Sequence, residues 1–424
     1  VDWYKKKTDG MLMQMPLPAY VGDTPSCYYS DNRVVGGWQD SLECIVKRCS
    51  DIELIIAFEA HEGSEVKIID GVTYVPLVTH YTFWEQQYAK FTWKVNEKKL
   101  LEKCIKIVNV YKPDLIHVFG CEWPFGLIAG HVNVPVVIHI QGSIIPYNNA
   151  LYPPKYNGYT FIRGAGLNLR YQFWFWRSTY KDASRLKMEK RIWKLVNNYM
   201  GRTEWDHALM NTLHPQARYF HVEEALRPSF LQTSKRWKMP QNNKVCILSV
   251  GCGSFWKGVD VMLKTAHVLK SLGVDFEWKV AGTLPPMLKL IIEYKEKLAY
   301  AENNIEFLGN VQADRLVDLL CSSTMLVHTA YIENSPNAIC EAQYLGVPVI
   351  STMVGGIASL VRNGKDGKLV AANDPWQLAN AIIELVNDPE RMRFYSKNTM
   401  LFAQNRHNPR NIIEQLLTCY KEIL

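Results

Sequence analysis

Short runs rich in β-branched residues alternate with longer stretches of helical spacing from one end of the chain to the other. A strand period followed by a helix period, repeated, is the pattern of parallel strands joined by crossover helices that cover both sheet faces. The fold class is therefore α/β. The pattern predicts strands over 11–15, 52–58, 114–120, 134–140 and 199–203, with helix filling the intervals, notably 84–111. A polar stretch over 232–244, QTSKRWKMPQNNK, has the composition of a linker. A second series follows, with strands over 244–251, 277–282, 305–309, 325–330 and 347–351.

Two such series need two cores, and 424 residues at 48% apolar and 21% charged can supply them. The apolar runs stop well short of the 18 or so residues that span a bilayer. After Lys5, Lys6 and Lys7, the run MLMQM is too short for a secretory signal. Ten cysteines without a CxxC pair are read most simply as reduced thiols in a cytoplasm, and zinc is not expected.

The net charge of +7 is concentrated. Between Arg163 and Lys194 stand nine cations and only two anions, so the rest of the chain is neutral. This segment also holds YQFWFWR, over 171–177. Basic residues among aromatics fit an anionic membrane surface or lipid-linked acceptor, or equally a solvated helix with inward aromatics. Nucleic acid is not an expected partner, because no nucleic-acid module is visible.

The densest chemistry lies in ENSPNAICEAQYLGVPVISTMVGGIASLV, over 333–361. Glu333 follows a buried-type strand, and Ser335 with Pro336 opens a helix expected over 336–345. A helix N-terminus carries unpaired N–H groups and the positive end of the dipole, which suits a diphosphate. Glu341 lies inside that helix, about 12 Å along from Glu333, so the two carboxylates can address separate hydroxyls of one elongated ligand. In SVGCGSFWKGVDVML, over 249–263, a strand runs through glycines to Lys257, a cation placed to neutralise a leaving diphosphate. It is not a Walker loop.

The 333–361 segment resembles the E-x7-E signature of family-4 retaining glycosyltransferases of the GT-B fold, in the fuller form E-x-x-P-N-x-x-x-E-A followed by G-x-P-V-I and a G-G turn. The resemblance implies two doubly wound Rossmann-like domains facing each other across a cleft. They would be an acceptor-side domain over 1–231, completed by a returning C-terminal helix over about 408–424, and a donor domain over 244–405, joined by a linker over 232–243. Glu333 would sit by the transferred sugar and Glu341 on the donor ribose, with Asn334, Ser335, Pro336 and Asn337 fixing sugar and phosphates. Lys257 and Gly253 resemble part of the phosphate clamp G-R-x4-K-G, although Cys252 replaces its arginine. Either Arg202 supplies the missing charge, or Lys257 and the helix dipole suffice. Base contacts are expected from backbone near Gly309 and Val311. Gly36 and Gly37 resemble the family's glycine-rich loop. The strand over 134–140 resembles one that ends in a catalytic histidine, a position held here by Gln141, with His139 as the alternative or as a core residue. Arg202 and Glu204, beside the N-cap Thr203, fit either the cleft or plain capping and ion pairing.

The activity implied is metal-independent transfer of a sugar, with retention, from a nucleotide-sugar donor, UDP- ahead of GDP- or ADP-linked. The acceptor would be a hydroxyl of a glycan, glycolipid or other glycoconjugate precursor of the bacterial polysaccharide type. No D-x-D is present to hold a metal, and no cofactor is expected. A sugar-nucleotide epimerase or hydrolase of the same architecture, or a donor-binding protein without catalysis, are the alternatives. The expected location is the cytoplasm, with peripheral association at the inner face of the plasma membrane through 163–194.

Overall fold

The computed structural model describes residues 2–6, 12–15, 28, 38–49, 52–60, 62–92, 94–166, 168–241 and 244–424. The chain divides into two compact units. The first comprises Val1–Asn148, Trp176–Arg227 and His407–Leu424, and the second Asn149–Phe175 and Pro228–Arg406.

The first unit holds β1 (Asp2–Lys6), β2 (Leu12–Met15), β3 (Ile52–Glu59), β4 (Lys67–Ile69), β5 (Val72–Leu77), β6 (Leu115–Phe119), β7 (Val136–His139), β8 (Asn198–Gly201) and β9 (Arg218–His221). Its parallel series runs β5-β3-β2-β6-β7-β8-β9. Antiparallel additions are β4 outside β5 and β1 against β2 and β3. Strands β3 and β6 are buried almost throughout, as uninterrupted apolar runs in a sheet covered on both faces must be. The helical pattern over 84–111 forms two helices, Phe83–Thr92 and Glu97–Tyr111. The Thr92 hydroxyl accepts from the Lys94 N–H, and the Asn96 side chain accepts from the Lys99 N–H, so polar side chains compete for the amides that one continuous helix would use. The second helix turns Leu100, Leu101, Cys104, Ile107 and Val108 inward, the spacing of one helix face. Helix Pro409–Ile423 belongs to this unit: Ile412, Leu416, Cys419 and Tyr420 join its core, and the Tyr420 hydroxyl meets His117 Nδ1 at 2.7 Å.

The second unit holds β10 (Val245–Val250), β11 (Phe276–Ala281), β12 (Ile305–Phe307), β13 (Met325–His328), β14 (Val349–Thr352) and β15 (Lys368–Val370). All six are parallel, in the order β12-β11-β10-β13-β14-β15. The chain starts in mid-sheet, winds out to one edge, and returns to wind out to the other. The winding therefore reverses between β10 and β13, whose carboxyl ends flank the crevice that doubly wound sheets use for ligands.

Two expected boundaries move. Residues 149–175, expected in the first unit, pack in the second, because an aromatic cluster draws them there. The rings of Tyr152, Tyr156 and Phe161 lie 5.9, 5.8 and 5.2 Å from that of Phe255. The Tyr156 hydroxyl donates to Glu296 at 2.8 Å. Gly164 lets helix Gly158–Ala165 lie against helix Pro286–Glu296 so closely that a Cβ there would stand 2.9 Å from the Ile291 Cα. The expected linker over 232–243 is anchored in the second unit through one buried side chain, while Gln232, Ser234, Lys235, Lys238 and Gln241 stay exposed. The buried Trp237 donates from its ring to the Ser323 carbonyl and from its backbone to that of Leu345, so one large apolar side chain overrides a polar composition.

Candidate active site

The loop after β10 and the loop after β13 stand side by side at the reversal point of the second unit, and hydrogen bonds to backbone carbonyls hold them there. The Tyr331 N–H donates to the Trp256 carbonyl at 2.7 Å, and the Thr329 hydroxyl to the Lys257 carbonyl at 2.8 Å. The Tyr331 hydroxyl donates to Asp260 at 2.8 Å, while Lys264 neutralises the same carboxylate at 2.9 Å. Gly258, at φ +68°, makes this closeness possible: a Cβ there would lie 1.8 Å from the Thr329 carbonyl oxygen.

These loops bring Lys257 and Glu333 together. The ammonium donates to both carboxylate oxygens, at 2.8 and 3.1 Å, and both side chains are only partly exposed. Glu333 is fixed from its backbone side too, since its carbonyl accepts from the Gly356 N–H at 3.0 Å. The Gly355 backbone presses against that same carbonyl. Beneath the pair lies His328, the last residue of β13, buried, with Nε2 3.9 Å from a Glu333 oxygen. Burial pushes its pKa down to about 4, against the opposing pull of Glu333, so the ring is neutral at physiological pH.

Helix Asn337–Leu345 follows, and Pro336, at its N-cap position, brings no capping side chain. Asn334, Ser335 and Pro336 are buried and Asn337 is partly exposed. The helix is buried on nearly all sides, packs inside the unit and ends at Gly346, φ +81°. Glu341 is within it at 1% exposure. A carboxylate so placed reaches only a ligand lodged deep against the helix.

The arginine position of the family clamp is turned inward here. Cys252 is 1% exposed, and a Cβ on Gly282 would stand 3.0 Å from its sulfur. Burial raises its thiol to about 11, so it carries no charge and presents none to a ligand. Gly253, by contrast, is exposed with open space around it. Gly309, φ +68°, follows β12, and its carbonyl accepts from the Gly282 N–H at 2.8 Å; Val311 is partly exposed just beyond.

In the first unit, His139 is entirely buried and stacked on His117, ring centroids 5.3 Å apart, and burial drives its pKa well below the ordinary value. It is a core residue, while Gln141, beyond the strand end, is partly exposed. Arg202 is buried and donates from Nη2 to the Gln141 carbonyl at 3.0 Å, with Glu224 4.0 Å away. Its charge is thus engaged in holding the end of β7. Thr203 caps helix Glu204–Leu213 in a reciprocal arrangement with Asp206. Glu204 is 89% exposed and 4.0 Å from His207. Gly36 and Gly37 lie outside the described residues. Helix Leu169–Leu195 carries the basic segment, with Arg170, Lys187, Lys190, Arg191 and Lys194 exposed while Met188, Ile192 and Trp193 are buried. No described helix is long and apolar enough to cross a membrane.

Sequence reasoning missed His328 and Tyr331. A histidine at the end of an apolar strand carries no motif, and a tyrosine two residues before Glu333 reads as packing. Only their position between the signature and the lysine loop could have singled them out.

Residues 232–401 match the family model described as Glycosyl transferases group 1. The chain is similar over 388 residues, at 23% identity, to the glycosyltransferase MJ1178 of Methanocaldococcus jannaschii, covering 90% of this chain and 92% of that one. It is 24% identical over 232 residues to N-acetyl-alpha-D-glucosaminyl L-malate synthase of Bacillus anthracis, covering 52% and 59% of the two chains. Among solved structures, sucrose-phosphate synthase from Thermosynechococcus elongatus superposes with a TM-score of 0.65 at 18% identity, over 92% of this chain and 94% of that one. Anabaena HepE in complex with UDP-glucose superposes with a TM-score of 0.60 at 15% identity, over 97% and 99%. The fold of these enzymes, GT-B, is the fold of this chain.

Proposed function

We propose that this chain, a glycosyltransferase of the GT-B fold and of the group 1 kind, moves a sugar with retention from a nucleotide-sugar donor to a hydroxyl of a glycan or lipid-linked precursor. The observation that carries this reading is the Lys257–Glu333 pair at the reversal point of the donor-type sheet, beside the N-terminus of helix Asn337–Leu345. A lysine and helix-end N–H groups form a donor set for a diphosphate; a carboxylate beside them suits sugar hydroxyls. UDP-sugar is favoured as donor, since a structural neighbour of similar fold is in complex with UDP-glucose.

In this mechanism the diphosphate binds across Lys257 and the amides of the 334–337 segment, and Glu341 takes the ribose hydroxyls. Glu333 orients the sugar. The acceptor oxygen attacks the anomeric carbon from the side the diphosphate leaves, so the configuration is retained. The C–O bond to phosphate breaks as the new one forms, and the departing phosphate oxygen takes the acceptor's proton. Lys257 stabilises the charge that grows on that phosphate, the role a divalent metal fills in other transferases, so turnover is expected to persist in a chelator. Gln141 would lie on the acceptor side. The exposed cations of helix Leu169–Leu195 would hold the enzyme on an anionic membrane face.

The test is incubation of the purified protein with UDP-, GDP- and ADP-sugars, with and without EDTA, followed by NMR of the released or transferred sugar. Slow hydrolysis of one donor with the anomeric configuration kept, undiminished by EDTA, is expected. Inversion, a 2-epimerised sugar, or dependence on an added metal would each overturn the reading. Co-sedimentation with anionic vesicles at low salt, lost at high salt, is expected of the basic helix; equal soluble fractions throughout would remove the membrane role.

A further inference from the structure

The Lys257–Glu333 pair poses a difficulty that the mechanism above leaves open. Both groups are assigned to the donor, yet without it they satisfy one another, the ammonium bonding both carboxylate oxygens. When a diphosphate draws the ammonium away, Glu333 loses the partner that fixes its side chain. A carboxylate on a long side chain, only partly exposed, then needs another donor to keep one orientation.

The structure supplies one candidate on the same oxygen. His328 Nε2 stands 3.9 Å from Glu333 Oε2, the oxygen nearest to Lys257. It is buried and makes no hydrogen bond within the protein. Beyond hydrogen-bond length by under an ångström, it is close enough to bond after a small rotation of the Glu333 side chain. Its place on β13 fixes it more firmly than any loop could: β13 pairs with β10 and with β14, and His328 itself is in register with Ser351.

We propose that His328 is a positioning residue for Glu333: when the donor diphosphate takes Lys257, His328 Nε2–H donates to Glu333 Oε2 and holds the carboxylate toward the sugar. The inference rests on the function proposed above. Neutrality of the ring is part of the device. A protonated imidazole would be a second cation competing with Lys257 for Glu333, whereas a neutral ring in the Nε2–H tautomer offers Glu333 a hydrogen bond without a charge.

The experiment compares wild type with His328→Leu, which removes the donor, and His328→Gln, whose amide N–H restores a donor at the reach of Nε2. It uses the full chain and the most active sugar nucleotide of the panel. His328→Leu is expected to lower kcat roughly tenfold to a hundredfold, the worth of one hydrogen bond to a charged group. Binding of UDP alone, read by calorimetry, should change less than about twofold, because the nucleotide has no sugar for Glu333 to orient. His328→Gln should recover most of the lost kcat. Equal kcat in wild type and His328→Leu, or loss of kcat and UDP binding together in both variants, overturns the proposal. If either variant fails to fold, wild type decides: adding UDP should move the imidazole Nε2 resonance of His328 to that of a hydrogen-bonded donor, and an unmoved resonance refutes the hand-over. Failure of wild type itself to turn over any donor, with the resonance shifting as expected, would count against the function and not against His328.

Discussion

Gly355→Ala isolates what the backbone behind Glu333 contributes. Gly355 has φ +51°, and a Cβ on it would stand 1.9 Å from the Glu333 carbonyl oxygen, with the carbonyl carbon at 3.0 Å. Real Cβ contacts essentially never fall below 3.0 Å, so backbone must yield by about an ångström, and the nearest backbone to yield is that of Glu333. The left-handed conformation alone costs a non-glycine residue roughly 1–2 kcal/mol, and the collision adds to it, so a loss of about 2–3 kcal/mol is expected. For a unit of this size each kcal/mol lowers Tm by about 2–4 °C. A misplacement of about an ångström in a positioning group can cost a hundredfold in rate. Gly364→Ala is the control, since it has φ +77° but nothing within 4 Å of its Cβ. It should show the conformational cost without the displacement. The assay is donor turnover beside a thermal melt. Gly355→Ala should lose stability and about two orders of magnitude in kcat, and Gly364→Ala stability alone. Equal turnover in both variants would refute the reasoning that links the Gly355 backbone to Glu333.

Lys257→Ala and Glu333→Gln should each reduce kcat by about a hundredfold to a thousandfold with little change in melting temperature; near-normal rates in both, measured with the same donor, would sink the mechanism. His328 titrates near 4 in the folded protein and near 6.5 when unfolded, so between those values the unfolded chain binds a proton that the folded one does not. Stability should therefore fall as pH drops from 6.5 to 4, by about 3 kcal/mol from this group, and urea melts of His328→Gln should show that slope reduced. Phe255→Ala should cost about 3–5 kcal/mol and loosen residues 149–175, read as loss of amide protection over helix Gly158–Ala165 relative to helix Pro409–Ile423.

Where the chain announces itself is where side-chain identity decides. Strand runs such as IELIIAF and VCILSV are legible because burial on both faces demands apolar residues at nearly every position. Glu333, Lys257 and Glu341 are legible because charges beside buried strands need a reason. The return of the C-terminal helix shows as an apolar stripe, Ile412, Leu416, Cys419 and Tyr420. The placement of 149–175 was not legible, because an aromatic cluster depends on which sheet is near, and nothing local to Tyr152 or Phe161 says so. The pattern also missed β1, β4, β5, β9 and β15, and for two of these the reason is exposure. Lys67–Ile69 and Arg218–His221 are half exposed, so they lack the apolar run that marks the others.

The substitution at the clamp bears on how the site can work. An arginine at 252 would need room that the buried thiol position, closed by Gly282, does not offer without moving that loop. Among the described residues, the clamp pattern that 251–258 resembles is met by one cation, Lys257, in place of two, and its ammonium is bonded to Glu333. Under the proposed function a donor diphosphate would compete with that carboxylate for its counter-ion, which weakens ground-state binding. The competition eases as the bond to the sugar breaks, since charge accumulates on the phosphate while the carboxylate's charge stays constant. An interaction that strengthens on the way to the transition state raises kcat rather than affinity. On this argument Cys252→Arg, if the loop admits it, should tighten UDP binding several-fold without a matching gain in turnover. A variant that gained in kcat as much as in affinity would show instead that the missing arginine, and not Lys257 alone, limits the chemistry.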